Sequence, residues 1–158
     1  MAATVGCARE SCARNAFASS SSACTTRSGP TRAWVALAYE TRLEAAAQRH
    51  AEDMVERQFF AHDTPEGLGP ADRALNAGYP TKHYSSGENL AWGTGLEASP
   101  VEIVDGWMHS PGHRENILRN AFTQMGVGVV AGVPETPEDP LPGATYAVSF
   151  GGPPLPAG

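Results

Sequence analysis

The residues in this 158-residue chain whose types could do chemistry are five histidines and a glutamate framed as Gly87-Glu88-Asn89. His50 falls on the apolar face of a helical stretch, where an imidazole bonded to a neighbouring backbone group is expected rather than a ligand. His62 follows that helix into the turn Asp63-Thr64-Pro65-Glu66-Gly67, and His113 opens a short helical stretch after Ser110-Pro111-Gly112. Loop-mounted side chains beside rigid elements are where binding residues concentrate. Glu88 precedes the apolar run Leu90-Ala91-Trp92, and a carboxylate against a buried segment needs partners to offset its desolvation. Two imidazoles could donate to it. A divalent cation could instead gather His62, Glu88 and His113 into a two-histidine, one-carboxylate zinc site with an open position. In the purely structural alternative, both histidines hydrogen-bond Glu88 and tie the loops to the core. His83, His109 and Asp105 are expected to be solvated.

Helices and strands must hold these groups. Leu43, Ala46, Ala47, His50, Ala51, Met54 and Val55 form one stripe at the helical period, which predicts a helix from Thr41 to about Gln58. Thr41 and Glu44 read as its capping box. A second short helix is expected over Pro70–Ala77, opened by Pro70 and stopped by Gly78. Ser99, Pro100 and Glu102 start a third, with Val101, Val104 and Met108 inward and Trp107 beside them; Pro111 ends it. Residues Tyr79 to Ser86 read as irregular. Two strands follow from the alternation of Val127, Val129 and Ala131 and of Tyr146, Val148 and Phe150, joined by a proline- and acid-rich hairpin loop. Trp92 and Trp107 are expected in the core, and Gly126 and Gly128 at a close packing contact. Asn116 and Arg114 are expected to bind backbone carbonyls and cap the short helix after His113.

Composition bounds the class of protein. Gly (17) and Pro (13) are abundant while charged residues are 18%, against a usual quarter, so the chain is foldable but loop-rich. The net charge is −6 and Lys82 is the lone lysine, which argues against nucleic acid as a partner. No apolar run is long enough for a transmembrane segment. Residues 1–30 differ from the rest: they hold Cys7, Cys12 and Cys24, the run Ser19-Ser20-Ser21-Ser22, and three arginines against one acid. Such a low-complexity segment is expected to be disordered. Its composition suits an organelle transit peptide better than a secretory signal, because no apolar core follows the first arginines. With no cysteine after residue 24, the body cannot depend on disulfides. The expected organisation is a segment 1–30, one domain over 31–152 and a tail 153–158.

Several of these residues recur together in order. Phe60-Ala61-His62, Gly78-Tyr79, Gly87-Glu88-Asn89-Leu90-Ala91, the run from Trp107 through Ser110-Pro111-Gly112-His113-Arg114 to Leu118, and Met125-Gly126-Val127-Gly128-Val129 resemble the CAP superfamily. That superfamily comprises cysteine-rich secretory proteins, antigen 5 and pathogenesis-related 1, and its units are also called SCP domains. The short bacterial type is the nearest in pattern, and the likeness covers about residues 34–151. It implies an α+β fold, an α-β-α sandwich with a small antiparallel sheet between helical layers and a central cleft. In the larger family two histidines and two glutamates line that cleft. By motif, His62, Glu88 and His113 match three of the four, and Ser110 stands where the second glutamate would be. A site with one less negative charge would bind zinc or another divalent metal more weakly.

The resemblance further implies an extracellular or cell-envelope protein, and some relatives bind sterols, other lipids or protein partners. A binding module without catalysis is therefore the first expectation, supported by the missing fourth group and the lack of a paired nucleophile. The alternative is a metal-dependent, protease-like hydrolase in which Glu88 acts as base on a metal-bound water. A version with Ser110 as nucleophile, His113 as base and Glu88 orienting it is hindered by the intervening Pro111-Gly112. A structural interaction domain of the cell envelope with a vestigial cleft shares the first reading's support.

Overall fold

The computed structural model describes residues 36–80, 85–135 and 141–153. The expectations for residues 1–30 and their cysteines, for His83, for the middle of the acidic loop and for most of the tail lie outside the described residues. Helix α1 (Thr41–Arg57) forms on the predicted stripe, with Leu43, Ala46, Ala47, His50, Ala51 and Met54 all buried. Its cap differs from the expected box. Glu40 has the extended backbone of an N-cap, and its carboxylate accepts from the Arg42 backbone N–H at 3.1 Å. The Arg42 Nε holds the same oxygen at 2.8 Å, while Glu44 turns to the Tyr39 hydroxyl. A carboxylate one residue earlier thus serves the helix's positive end. Helix α2 (Pro70–Asn76) has its proline in the first turn, and Gly78 takes a φ of +86° beyond its end, as the Pro and Gly punctuation predicts.

Four strands make one sheet: β1 (Ala38–Tyr39), β2 (Ser85–Thr94), β3 (Gln124–Ala131) and β4 (Gly143–Gly152), in the order β1-β3-β4-β2. The three long strands pair antiparallel, and the two-residue β1 adds a parallel edge to β3. The residues around Glu88, read from sequence as a short buried run, are the middle of the ten-residue β2. Since side chains alternate across a strand, Glu88 and Leu90 share one face with their partners Ser149 and Ala147, and Asn89 and Ala91 share the other.

Helix α1 covers the first face. Ala47, Ala51 and Met54 pack there on Leu90 and Ala147. A Cβ at Gly126 would run into the Leu43–Glu44 backbone, and one at Gly128 into the Gln48 backbone, so these strand glycines let helix and sheet approach at backbone range. Helices α3 (Pro100–His109) and α4 (Pro111–Leu118) cover the second face. There Ile103, Val104, Trp107, Ile117, Phe122, Met125, Tyr146, Val148 and Phe150 form the main core, with Phe122 and Phe150 stacked at 5.5 Å. The α-β-α layering is as expected.

Three details of packing depart from the sequence reading. Ile103, Val104 and Trp107 face inward from α3, whereas Val101 is 62% exposed. The Trp107 indole sets this rotation, because its Nε1–H donates to the Leu90 carbonyl at 3.0 Å. Trp92 is half-buried rather than a core residue, and Val129 emerges where the helical cover of β3 ends. Among the described residues, no helix is long and apolar enough to cross a membrane.

Candidate functional site

The chain leaves α1 through Gln58, whose left-handed backbone (φ 55°) turns it sharply. His50 catches the returning segment: its Nε2–H donates to the Ala61 carbonyl at 2.9 Å. This is the structural role its helix position predicts. A proton on Nε2 of the neutral ring leaves Nδ1 as an acceptor, and that atom is buried without a partner among the described residues. Burial lowers the His50 pKa, in keeping with a neutral ring. Ala61 is thereby fixed, and with it the start of His62.

Glu88 is the centre of the site. Its side chain is 2% exposed, and both carboxylate oxygens are engaged. The His62 Nδ1–H donates to Oε1 at 2.9 Å. Arg73, on α2, donates from Nη2 to Oε2 at 2.6 Å. The Arg73 Nη1 also reaches the carbonyls of His62 at 2.7 Å and Leu68 at 2.8 Å. One guanidinium therefore ties the buried acid to the loop that carries His62, the kind of multidentate contact that arginine geometry favours. With Nδ1 turned to the buried carboxylate and 56% of the His62 side chain exposed, the Nε2 side of the ring is the one left to solvent. The bond to Glu88 raises the His62 pKa above its usual value.

The free edge of β2 carries the rest. Asn116 on α4 donates to the Glu88 carbonyl at 3.1 Å and to Asn89 Oδ1 at 2.9 Å. The fully buried Asn89 in turn donates to the His113 carbonyl at 3.0 Å. With Trp107 on the Leu90 carbonyl, helices α3 and α4 supply the edge strand with hydrogen bonds that a further strand would otherwise make. Asn116 thus binds a strand carbonyl rather than capping its own helix. His113 packs its ring 6.4 Å from that of Trp107. Partial burial lowers its pKa, and the charge of nearby His62 lowers it further.

The structure therefore brings His62 and Glu88 into contact and sets His113 within electrostatic reach of His62. Among the described residues, no hydrogen bond joins His113 to Glu88. Ser110 forms the joint between α3 and α4, with its backbone N–H on Gly106 and its carbonyl accepting from Arg114; its hydroxyl makes no capping bond to α4. His109 is exposed and bonds within its own helix to Asp105, also exposed.

Arg73 is the residue that the sequence reading missed. A signal was present: between His62 and Glu88 the permanently charged cations are Arg73 and Lys82 alone, and a buried carboxylate calls for one. The donor set does not fit the two-histidine, one-carboxylate zinc centre considered from sequence. Glu88 is already held on both oxygens, one by a cation, and the described residues include no group of three His, Cys, Asp or Glu able to hold a metal. A separate shallow groove of about 400 Å³ lies along α3 and α4, where Met108, Pro111 and Leu118 mix with the charged Arg114 and Glu115.

Comparison with known proteins agrees with this architecture. The family model described as CAP, cysteine-rich secretory protein family, matches residues 30–133. The uncharacterized protein YkwD of Bacillus subtilis (strain 168) is 37% identical over 94 residues, which is 60% of this chain and 35% of that protein. The uncharacterized membrane protein YlbC of the same strain is 35% identical over 80 residues, covering 51% and 22% respectively. The chain thus spans about a third or less of the length of these curated relatives. Among solved structures, an extracellular protein containing a SCP domain from Bacillus anthracis str. Ames superposes with a TM-score of 0.56 at 29% identity, over 72% of this chain and 33% of that one. An outer surface protein from Borrelia burgdorferi shares the fold, with a TM-score of 0.57 at 23% identity over 74% and 77%. A family model matched over most of the chain, and a helical sandwich built around the Glu88 edge strand, make this chain a bacterial-type member of the CAP superfamily.

Proposed function

We propose that the chain is an extracellular or cell-envelope binding module of SCP type, and that it recognises its partner through the exposed ring of His62. The observation that carries this reading is the ordered relay Arg73–Glu88–His62, buried at one end and open to solvent at the other. A histidine so held has one free ring nitrogen in a fixed place, which is the preorganisation that favours binding. Once protonated, as its raised pKa favours in mild acid, the ring suits a hydrogen-bond acceptor on the ligand, such as a carboxylate, phosphate or carbonyl, on either an envelope lipid or a protein. The extracellular and outer-surface descriptions of the two solved relatives support the location.

The hydrolase alternative has less support. Glu88 would have to take a proton from water, yet both of its oxygens are engaged. The test follows the His62 and His113 ring resonances by NMR while lipid extract and envelope protein are added separately. Binding at this ring moves the His62 signal in one arm, more strongly at pH 6 than at pH 8, because the raised pKa leaves Nε2 protonated in mild acid. Glu88→Gln abolishes the response. Unmoved rings in both arms would overturn the reading.

A further inference from the structure

We infer that Arg73 is the built-in cation of this site: its guanidinium occupies the position beside Glu88 that a divalent metal would need, and so keeps Glu88, with His62 and the nearby His113, from becoming a metal centre. The inference rests on the same site as the proposed function, but it concerns cation occupancy and is read separately from ligand binding.

Two observations converge. First, Arg73 is itself buried, with a side chain 9% exposed, and its bonds to Glu88 Oε2 and to the His62 and Leu68 carbonyls fix it from two elements. A metal on Glu88 would stand within a few ångströms of a permanent positive charge that cannot swing away without abandoning those carbonyls. Second, the Glu88 oxygen not held by Arg73 accepts from Nδ1 of His62. The two imidazole nitrogens point in different directions, so a metal on the remaining Nε2 could not also touch the oxygen bonded to Nδ1. His62 and Glu88 therefore cannot ligate one ion while Arg73, through the His62 and Leu68 carbonyls, holds the loop in this arrangement.

The site's electrostatics are thus closed internally: one carboxylate, one guanidinium, and a histidine that gains its proton from solvent. A metal is replaced by a residue that brings its charge without needing to be captured. This differs from a weak metal site that merely lacks a ligand, because the obstacle is a named side chain whose removal should create affinity.

Zinc is titrated into the full chain while the His62 and His113 ring resonances are followed, so that metal taken up by Cys7, Cys12 or Cys24 does not count. In the unaltered protein, zinc kept well below the millimolar range where a lone exposed imidazole binds is expected to leave both rings unmoved. Arg73→Ala frees one Glu88 oxygen and should gain zinc affinity at these rings by about tenfold or more, with zinc raising its unfolding temperature. The gain should vanish in Arg73→Ala/Glu88→Gln. Arg73→Lys, which keeps the charge, should not show it. If Arg73→Ala fails to fold, Arg73→Gln removes the charge while retaining a donor and carries the same expectation. Zinc binding at His62 in the unaltered protein, or an equal gain in the lysine variant, would overturn the inference. The ligand test of the proposed function uses no zinc, so either idea can fail alone.

Discussion

The two faces of the sheet are filled by opposite means. Under α1 the residues are small: Gly126, Gly128, Ala47, Ala51 and Ala147 bring backbone against backbone. Under α3 and α4 the space is wider, and Trp107, Phe122, Tyr146 and Phe150 fill it. The first face has little room for change, since a clash with backbone cannot be relieved by rotating a side chain. The second can repack, because side chains meet side chains there. The site lies at the edge strand β2, where the rigid face supplies Glu88 and the repacking face supplies Asn116 and Trp107. Its geometry therefore depends on both layers.

The largest effect is expected from Gly128→Val. Its new side chain meets the Gln48 backbone of α1, and overpacking without an escape should cost about 3 kcal/mol or more. Urea unfolding measures it, and a loss below about 1 kcal/mol would break the contrast between faces. Arg73→Met comes next, at about 3 kcal/mol, because it strands a buried carboxylate; Arg73→Met/Glu88→Leu should recover much of that loss. On the aromatic face, Trp107→Phe keeps most of the packing but leaves the Leu90 carbonyl bare, at about 1–3 kcal/mol.

Histidine titration sharpens the picture of the edge. By NMR, His62 should titrate above 6.5, and His50 and His113 below it. The raised His62 pKa contributes stability that is present below 6.5 and lost as pH rises through its folded value. The lowered values of His50 and His113 act in the other direction: their contribution is present above 6.5 and fades as pH falls through their folded values. Glu88→Gln should bring the His62 titration down while His113 moves little. The smallest effect is expected for Val101→Ser on the outer side of α3, within about 0.5 kcal/mol by urea unfolding.

Much of the scaffold was legible because it rests on local rules. The stripe from Leu43 to Met54 is visible in the spacing of a few neighbours, and Pro70 and Gly78 mark α2 by their own backbone limits. The alternation in Tyr146, Val148 and Phe150 likewise needs no knowledge of a partner strand. The errors arose where a neighbour in space decided. Thr41 was a reasonable cap, yet Glu40 serves because Arg42 steadies it and Glu44 is drawn to Tyr39. Val101 fits a helical stripe as well as Ile103 does, until Trp107 reaches for the Leu90 carbonyl and fixes the rotation. In the site, His62 and Glu88 could be named from their settings, but the bond between them could not.

By itself the sequence determined the helices, the two C-terminal strands and the family, since periodicity and chain punctuation act over a few residues. Only the tertiary structure decided which cation meets the buried acid. Charge pairing carries no period along the chain: Arg73 and Glu88 lie fifteen positions apart on different elements, and nothing local separates this arginine from any other. The fold selects it by placing α2 against β2, where a buried carboxylate must find a partner that water can no longer supply.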